Sequence, residues 1–279
     1  MTIESIKLRA ETLLEQKAIT NSEALNLYWD TIRLLEQGRL RVAEQIDGRW
    51  VTHRWIKQVI LLGFKYGELH TINEFSTYCY FDKTTVVPRV FSLEDQIRLV
   101  PGGSSVRVGA YLAPGTVIMP PSYINVGTYL DQGVMVDSHV LVGSCAQIGK
   151  NVHLSAAVQI GGVLEPIGSS PVIIEDQVFI GGHAGIYEGV IVKTGAVIGS
   201  GVTLTGSMQV FDAVHDCFLR KNDEEAPLII PENAVVVSGT RPITQGAGKA
   251  QQIQIYCPVI IKYRDHKTDR ATQLESLLR

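Results

Sequence analysis

The sequence predicts a mainly β protein built around a parallel β-helix of hexapeptide repeats. Two observations predict it: an aliphatic residue recurs at every sixth position through most of residues 101–240, and helix and hairpin signals are concentrated in residues 1–100. We therefore expect an N-terminal α/β domain, mostly helical with one hairpin, over 1–100, the β-helix over 101–240, and a small C-terminal β segment over 241–279.

The N-terminal domain carries one strong helix start and one strong turn. Thr20 and Glu23 have capping-box spacing ahead of apolar residues at helical intervals, which predicts a helix. The dipeptide Asp47-Gly48 separates two short strand-like segments and predicts a hairpin. A second helix is expected over about residues 52–66, followed by an irregular or extended connector over 67–83.

The six-residue period runs through sixteen aliphatic positions. After ten of them the register shifts by eight residues across a loop at 166–173, and a longer excursion near 206–228 is also interpreted as a loop. The signal resumes weakly at Ile230 and Val236. The sixteen positions are Val106, Leu112, Ile118, Ile124, Leu130, Val136, Val142, Ile148, Leu154, Ile160, Ile174, Ile180, Ile186, Val192, Ile198 and Leu204.

A period of six fits neither an α-helix nor a long alternating strand, but it fits one side of a triangular coil. Each side places an aliphatic side chain in the prism interior, and a small residue four places later fits beside the corner. Three units make one coil, so sixteen units make a rod about 25 Å long at a strand spacing of about 4.8 Å. A β-sandwich with accidental periodicity would not keep ten positions in phase.

Composition and charge narrow the classes of function. The 279 residues are 45% hydrophobic with a formal net charge of -3, and no basic cluster alternates with aromatic residues, so no nucleic-acid partner is expected. The N-terminus lacks a secretory signal, and the longest apolar run, residues 59–64, is too short to span a membrane. The cysteines form no CxxC pair, which predicts free thiols in a reducing cytoplasm and no metal site; they are Cys79, Cys145, Cys217 and Cys257.

Longer segments of the chain resemble a known family. The resemblance lies in VRVGAYLAPGTVIMPPSYINVGTYLDQGVMVDSHVLVGSCAQIGKNVHLS, in IGGVLEP and, near the N-terminus, in GRLRVAEQIDGRWVTHRWIKQ. These segments closely resemble the tetrahydrodipicolinate N-succinyltransferases, which are hexapeptide acyltransferases. The resemblance implies that the coil is a left-handed parallel β-helix. The resemblance implies a homotrimer with active sites between subunits. It also implies transfer of a succinyl or acetyl group from acyl-coenzyme A, a co-substrate and not a permanently bound cofactor, to the amine of tetrahydrodipicolinate or a related amino dicarboxylate.

The resemblance assigns roles to two residues of this chain. Arg98, in IRLVP, would hold a substrate carboxylate, and Asp137, in MVDSH, would bind the acceptor amine and help to remove its proton. Their alternatives are a cap at the domain junction for Arg98 and a corner hydrogen-bond acceptor for Asp137. Arg107, in VRVGA, is a second candidate for a carboxylate, and an exposed coil arginine is its alternative.

Three further residues are candidates for binding coenzyme A. The segment GVTLTGSMQVFD resembles the coenzyme-binding segment of the family; Gly201 is its first residue, and Ser200 directly precedes it. Lys249, in QGAGK, would reach a coenzyme phosphate unless it is a solvated loop lysine. Its Gly-Lys pair lacks the spacing and the following Ser/Thr of a phosphate-binding loop.

The chain departs from the family at GGHAGIYEG, where the family typically reads GARSEVVEG. Aligned without gaps, His183 replaces an arginine, and Gly185 replaces the acidic residue that serves the family as a second catalytic carboxylate. After Asp137, Ser138-His139 stands where Thr-Trp is common. These departures leave open a specialised paralogue, such as the tabtoxin-biosynthesis acyltransferase, and a non-catalytic β-helix that serves as a binding or assembly module.

Two histidines are predicted to share one face of the coil. If the eight-residue insertion is a single corner loop, His139, Ala157 and His183 occupy the same place on successive coils, and the two histidines lie about 10 Å apart. Histidine titrates near neutral pH and suits removal of a proton from an amine. His183 is therefore a candidate catalytic residue and His139 a candidate substrate-binding residue, with a solvent-facing corner residue as the alternative for both.

Overall fold

The structure is a computed structural model that describes residues 2–75, 78–220 and 227–265, and the side chains of all of these except 73–75, 78 and 79. Its N-terminal unit contains the helices α1 (Ile3–Leu14), α2 (Asn21–Glu36) and α3 (Arg54–Tyr66). The predicted capping box at the start of α2 is confirmed, because Thr20 Oγ1 accepts the Glu23 amide hydrogen and the Glu23 carboxylate accepts the Thr20 amide hydrogen. None of the helices in the described residues is long and apolar enough to cross a membrane.

Helix α1 has no counterpart among the sequence predictions. Its buried residues Ile6, Ala10 and Leu13 follow helical spacing, but charged side chains between them weaken the apolar pattern. The three helices pack into one core together with residues of the coil. The core residues are Ile6, Ala10, Leu13, Ala24, Leu27, Tyr28, Ile32, Leu34, Leu35, Leu40, Val42, Trp55, Ile56, Val59, Ile60, Leu62, Val126 and Cys145.

The N-terminal unit contains two hairpins where one was predicted. The first turns at Asp47 and Gly48, which both adopt positive φ, as the Asp-Gly signal predicts. The second lies in the segment expected to be an irregular or extended connector, which is extended and paired because its β-branched and aromatic residues favour strands. The four antiparallel strands are β1 (Ala43–Ile46), β2 (Arg49–Thr52), β3 (Leu69–Phe75) and β4 (Tyr78–Lys83).

Sixteen two-residue strands form the sides of a parallel β-helix, which confirms the predicted fold. Each strand ends on one of the sixteen predicted aliphatic positions, and these side chains fill the interior. Across the insertion Ile148 pairs with Ile174, so the register shift is one corner loop. The strands are β6 (Ser105–Val106), β7 (Tyr111–Leu112), β8 (Val117–Ile118), β9 (Tyr123–Ile124), β10 (Tyr129–Leu130), β11 (Met135–Val136), β12 (Leu141–Val142), β13 (Gln147–Ile148), β14 (His153–Leu154), β15 (Gln159–Ile160), β16 (Ile173–Ile174), β17 (Phe179–Ile180), β18 (Gly185–Ile186), β19 (Ile191–Val192), β20 (Val197–Ile198) and β21 (Thr203–Leu204).

The excursion near 206–228 was predicted as a loop, and this prediction is wrong in part, because the segment contains a hairpin of β22 (Val210–Asp212) and β23 (Cys217–Leu219). Strand β22 pairs with β28 (Val259–Tyr263), a partner distant in sequence that no local repeat signal reveals. The coil resumes at Ile230 and Val236, as the weak signal predicted. The remaining elements are β5 (Arg98–Leu99), β24 (Ile229–Ile230), β25 (Ala234–Val237), β26 (Thr240–Pro242), α4 (Gly246–Ala250), β27 (Gln254–Tyr256) and the 3-10 helix Leu93–Asp95.

The strands stack into three sheets that form the faces of the prism. Sheet A has the order β24-β19-β16-β13-β10-β7, and sheet C has the order β21-β18-β15-β12-β9-β6. Sheet B begins with β5 and continues through β8, β11, β14, β17, β20 and β25 to the C-terminal strands β28, β22 and β23. In each coil the chain passes from sheet B to sheet C and then to sheet A.

The insertion loop lies at the corner between sheets C and A and is held by the N-terminal unit. Lys57 of α3 is fully buried, and its Nζ donates hydrogen bonds to three carbonyl oxygens of the loop. The acceptors are Pro166 at 3.1 Å, Ile167 at 3.2 Å and Ser169 at 2.8 Å. The loop therefore joins the helical unit to the coil, at a different corner from the two candidate histidines.

Candidate active site

The corner between sheets B and C, here called the B–C corner, brings the two candidate histidines into one column. His139, Ala157 and His183 adopt left-handed backbone conformations with φ of 63°, 61° and 59°. The Ala157 amide donates to the Ser138 carbonyl (2.8 Å), and the His183 amide donates to the Ala156 carbonyl (3.0 Å). The three corners therefore stack on successive coils, as the residue count predicts, and both histidine side chains are exposed.

Asp137 lies on sheet B, two residues before the corner. Its amide donates to the Leu154 carbonyl (2.9 Å), and its Oδ1 accepts the Ser138 amide hydrogen (2.7 Å). The residue is half-buried, and within the described residues its carboxylate accepts no second hydrogen bond. One carboxylate oxygen is thus fixed by the backbone, and the other is available to a ligand.

A pocket of about 300 Å³ opens beside His139 along sheet C. One wall is a column of outward residues on successive strands, which includes Tyr123, Leu141 and Gln159. Gln159 Nε2 donates to the His139 carbonyl (3.3 Å) and so ties this wall to the B–C corner. The pocket is lined by Gly103, Ser105, Pro121, Ser122, Tyr123, His139, Val140, Leu141 and Gln159.

The wall continues past Gln159 to Gly185, its partner on the next strand. The ring of Tyr187 lies over this glycine, because a Cβ at position 185 would be 2.5 Å from Cε2 and 2.7 Å from Oη of Tyr187. Sequence reasoning treated Gly185 as a lost carboxylate and missed the tyrosine that fills its space. The alternation of side chains along a strand could have predicted this contact, since residues 185 and 187 lie on the same face of the sheet.

Arg98 begins sheet B, two strands before the coil of Asp137. Its amide donates to the Thr116 carbonyl (2.9 Å), and the residue is exposed. Two strand spacings correspond to about 10 Å. Arg98 and Asp137 therefore border the same sheet on separate coils of one chain.

Arg107 is held inside the chain by its own partners. Its Nη2 donates to Asp82 Oδ2 (3.0 Å), and its side chain is only 20% exposed. The guanidinium carbon also lies 5.9 Å from the ring centres of both Phe64 and Tyr123. This arrangement favours a role in joining the second hairpin to the coil over both sequence interpretations, the substrate ligand and the exposed coil arginine.

Ser200 and Gly201 continue the B–C corner one coil beyond His183. Gly201 has φ of 70°, and its amide donates to the Gly182 carbonyl (2.9 Å). Both candidates are exposed. They therefore border the same corner as the histidines.

Lys249 lies on the short helix α4, between β26 and β27, and its side chain is exposed. Tyr256 of β27 accepts the amide hydrogen of Thr203 at its Oη (2.8 Å). Thr203 begins β21, the last strand of sheet C. The segment that carries Lys249 is therefore attached to the sheet that walls the pocket.

A second pocket, of about 270 Å³, lies between the first hairpin and sheet A, and no sequence pattern predicted it. Its Glu175 is 8% exposed and accepts hydrogen bonds from Trp50 Nε1 (2.9 Å), Lys193 Nζ (2.9 Å) and the Thr194 amide (3.1 Å). Burial alone would raise the pKa of Glu175, but these hydrogen bonds outweigh it and hold the pKa below its usual value. This cluster fastens the hairpin to the coil.

The cysteines and the acidic and histidine side chains offer no metal site within the described residues. Cys145, Cys217 and Cys257 are free thiols, whereas Cys79 lies outside the described side chains. Burial raises the pKa of the Cys145 thiol to about 12. A buried thiol of this kind is inert, so Cys145 is a core residue of the helical unit.

The chain is similar to one family over nearly its whole length. Residues 4–66 match the family description "Tetrahydrodipicolinate N-succinyltransferase N-terminal", and residues 171–206 match "Hexapeptide repeat of succinyl-transferase". The 2,3,4,5-tetrahydropyridine-2,6-dicarboxylate N-succinyltransferase of Photorhabdus laumondii is 44% identical over 94% of this chain and 92% of its own. The enzyme of the same name from Enterobacter sp. is 46% identical over 92% of this chain and 89% of its own.

Among solved structures, the acetyltransferase domain of PglB from Neisseria gonorrhoeae, in complex with acetyl coenzyme A, is 19% identical. It aligns over 51% of this chain and 54% of its own, with a TM-score of 0.32. The family relationship rests on the two relatives, whose identity extends through both the helical unit and the coil. The chain belongs to the tetrahydrodipicolinate N-succinyltransferase family.

Proposed function

We propose that the protein is a coenzyme A-dependent N-acyltransferase that moves a succinyl group to the amine of tetrahydrodipicolinate or a close amino dicarboxylate. Acetyl-coenzyme A is the second candidate donor. The observation that supports this most is the column of His139 and His183 along one open corner beside a pocket, with Asp137 two residues before that corner, in a chain of this family. Acyl-coenzyme A is a substrate in this proposal.

Asp137 is the residue proposed to bind the acceptor amine. The Ser138 amide fixes one carboxylate oxygen, so the other can accept a hydrogen bond from the amine. The ring nitrogen of tetrahydrodipicolinate is an imine without a proton, so water first adds across its C=N bond and gives an amine. As this amine nitrogen attacks the thioester carbon, its proton passes to the base, the carbon–sulfur bond breaks, and the coenzyme thiolate takes up a proton. His183 is the candidate second base, since an imidazole can accept and donate protons near neutral pH.

The other candidates divide between the two substrates. Arg98 is proposed for a carboxylate of the acceptor, and His139 for contacts to the acceptor beside the pocket. Ser200, Gly201 and Lys249 are proposed for the coenzyme, because they lie at or near the later coils of the same corner and wall. Arg107 is left out of the site because Asp82 already binds its guanidinium.

A homotrimer with active sites between subunits is part of the proposal. The pocket lining comes from the B–C corner and sheet C of one chain, and Arg98 lies on a separate coil from Asp137, so a neighbouring prism would complete the site. Light scattering after size-exclusion chromatography should give three copies of the 30.6-kDa chain. A cytoplasmic location is also proposed, and the free thiols of the described cysteines fit it.

Release of free thiol from succinyl-coenzyme A or acetyl-coenzyme A, each with tetrahydrodipicolinate and with related amino dicarboxylates, tests the proposal. Release with one pair identifies the donor and the acceptor, whereas no release with any pair favours the non-catalytic module. The second candidate function, a specialised paralogue, is favoured by the Gly185 and Tyr187 pair and predicts a faster reaction with a relative of tetrahydrodipicolinate. In His183→Ala, a change confined to the KM of the acceptor would mark binding, and a loss in kcat would mark proton transfer.

A further inference from the structure

Two glycines leave room for a tyrosine on sheet C, one strand beyond Gln159 of the pocket. Tyr187 directly follows β18, and its ring covers Gly185 on the same strand and Gly161 at the end of the neighbouring strand β15. A Cβ at position 161 would be 2.8 Å from Cδ1 of the ring, and a Cβ at position 185 would be 2.5 Å from Cε2. Heavy atoms do not pack so closely, so the ring lies in a slot that the two glycines leave open, and a side chain at either position would require the ring to move.

Backbone conformation does not account for these glycines. Neither Gly161 nor Gly185 has the positive φ at which glycine is favoured. In this structure the ring instead occupies the space that a side chain at either position would need. The slot holds Tyr187 in one orientation, with Oη 2.7 Å from where a Cβ of residue 185 would be.

The phenol lies on sheet C next to the pocket. Gly185 pairs with Gln159, which lines the pocket beside His139, and it follows the corner residue His183 by two positions. Tyr187 is half-buried, and its Oη makes no hydrogen bond within the described part of the chain. The hydroxyl is therefore open to a ligand that enters along sheet C.

We propose that Tyr187 is a specificity-determining residue that donates a hydrogen bond to a substrate oxygen, either on the carboxylate of the acceptor or on the thioester carbonyl. This inference rests on the proposed function. A phenol offers a hydrogen-bond donor where a carboxylate would offer only acceptors and a negative charge. With Tyr187 over Gly185, this part of sheet C offers a neutral donor to an oxygen of the substrate and lacks the negative charge that would attract a second cationic amine.

Tyr187→Phe tests the inference, because it removes the hydroxyl and keeps the ring in its slot. In the thiol-release assay kcat/KM should fall about tenfold, as expected for one hydrogen bond in the transition state. A rise in the KM of the acceptor alone assigns the bond to its carboxylate, and a fall in kcat with both KM values unchanged assigns it to the thioester carbonyl. Tyr80→Phe, at an exposed tyrosine of β4, is the matched control and should keep wild-type constants.

Gly185→Ala provides a second, independent variant. Its new methyl group would displace the ring and should reproduce the loss, and adding Tyr187→Phe to it should cause little further change. Wild-type constants in Tyr187→Phe would overturn the inference and leave the proposed function intact. A wild-type protein that releases no thiol with any substrate pair would instead overturn the proposed function, and this inference with it.

Discussion

Replacing Lys57 with methionine removes the ammonium group that joins the helical unit to the insertion loop. Nζ donates three hydrogen bonds, of 2.8, 3.1 and 3.2 Å, to backbone carbonyls, and the residue has no exposed surface. A hydrogen bond to a charged group contributes about 1.5–3 kcal/mol, and a buried carbonyl left without its donor costs about 1–3 kcal/mol. Methionine keeps most of the packing, so the loss comes from the hydrogen bonds and from the carbonyls left without a donor. We expect Lys57→Met to lower the free energy of unfolding by about 3–5 kcal/mol.

Urea denaturation followed by tryptophan fluorescence measures this loss. The three tryptophans, Trp29, Trp50 and Trp55, all lie in the N-terminal unit, so the signal reports on the part of the protein that Lys57 anchors. Lys65→Met, at an exposed position of the same helix, is the matched control and should stay within about 0.5 kcal/mol of the wild type. A loss below about 1 kcal/mol in Lys57→Met would refute the prediction, because the loop carbonyls would then have found other donors.

Asp137→Asn should lower turnover in the thiol-release assay at least about a hundredfold, since an amide cannot take up the proton of the amine; wild-type turnover would remove Asp137 from the mechanism. Because the pKa of Glu175 is lowered in the folded state, its contribution to stability is present above the unfolded value of 4.5 and is lost as the pH falls through the lower folded value. Thermal melts of Glu175→Gln should therefore depend less on pH than those of the wild type over this acidic window, and equal dependence would contradict the assignment. Burial raises the pKa of Cys145 to about 12, so iodoacetamide at about pH 8 should label this thiol only after unfolding, as peptide mass mapping would show; rapid labelling of the native protein would argue against it. Gly185→Glu should lower the melting temperature, and adding Tyr187→Val should restore most of it, whereas no recovery would show that the ring does not occupy the space.

The repeat could be predicted from the sequence because its cause is local. Every one of the sixteen aliphatic positions ends a strand, since the place of a residue within its own hexapeptide decides whether it faces inward. The turn at Asp47-Gly48 and the helix cap at Thr20 rest on signals that are equally short in range. The alignment of His139 with His183 needed only the number of residues in a coil.

The features that the sequence did not show depend on contacts between residues of different elements. Arg107 could be interpreted as a substrate ligand because Asp82, its partner, lies 25 positions earlier in a hairpin that no pattern predicted. Strand β22 pairs with the C-terminal β28 and not with a neighbour in the coil. A period of six predicts which residues face inward, but it does not predict the direction in which an outward side chain such as that of Tyr187 points.

The ring of Tyr187 and a side chain at position 185 exclude each other as the ring now lies, because both would occupy the same space. This part of sheet C can therefore present a neutral phenol or a longer side chain from position 185, but not both in this arrangement. The two positions act as one unit, so a substitution at 185 also changes what residue 187 contributes.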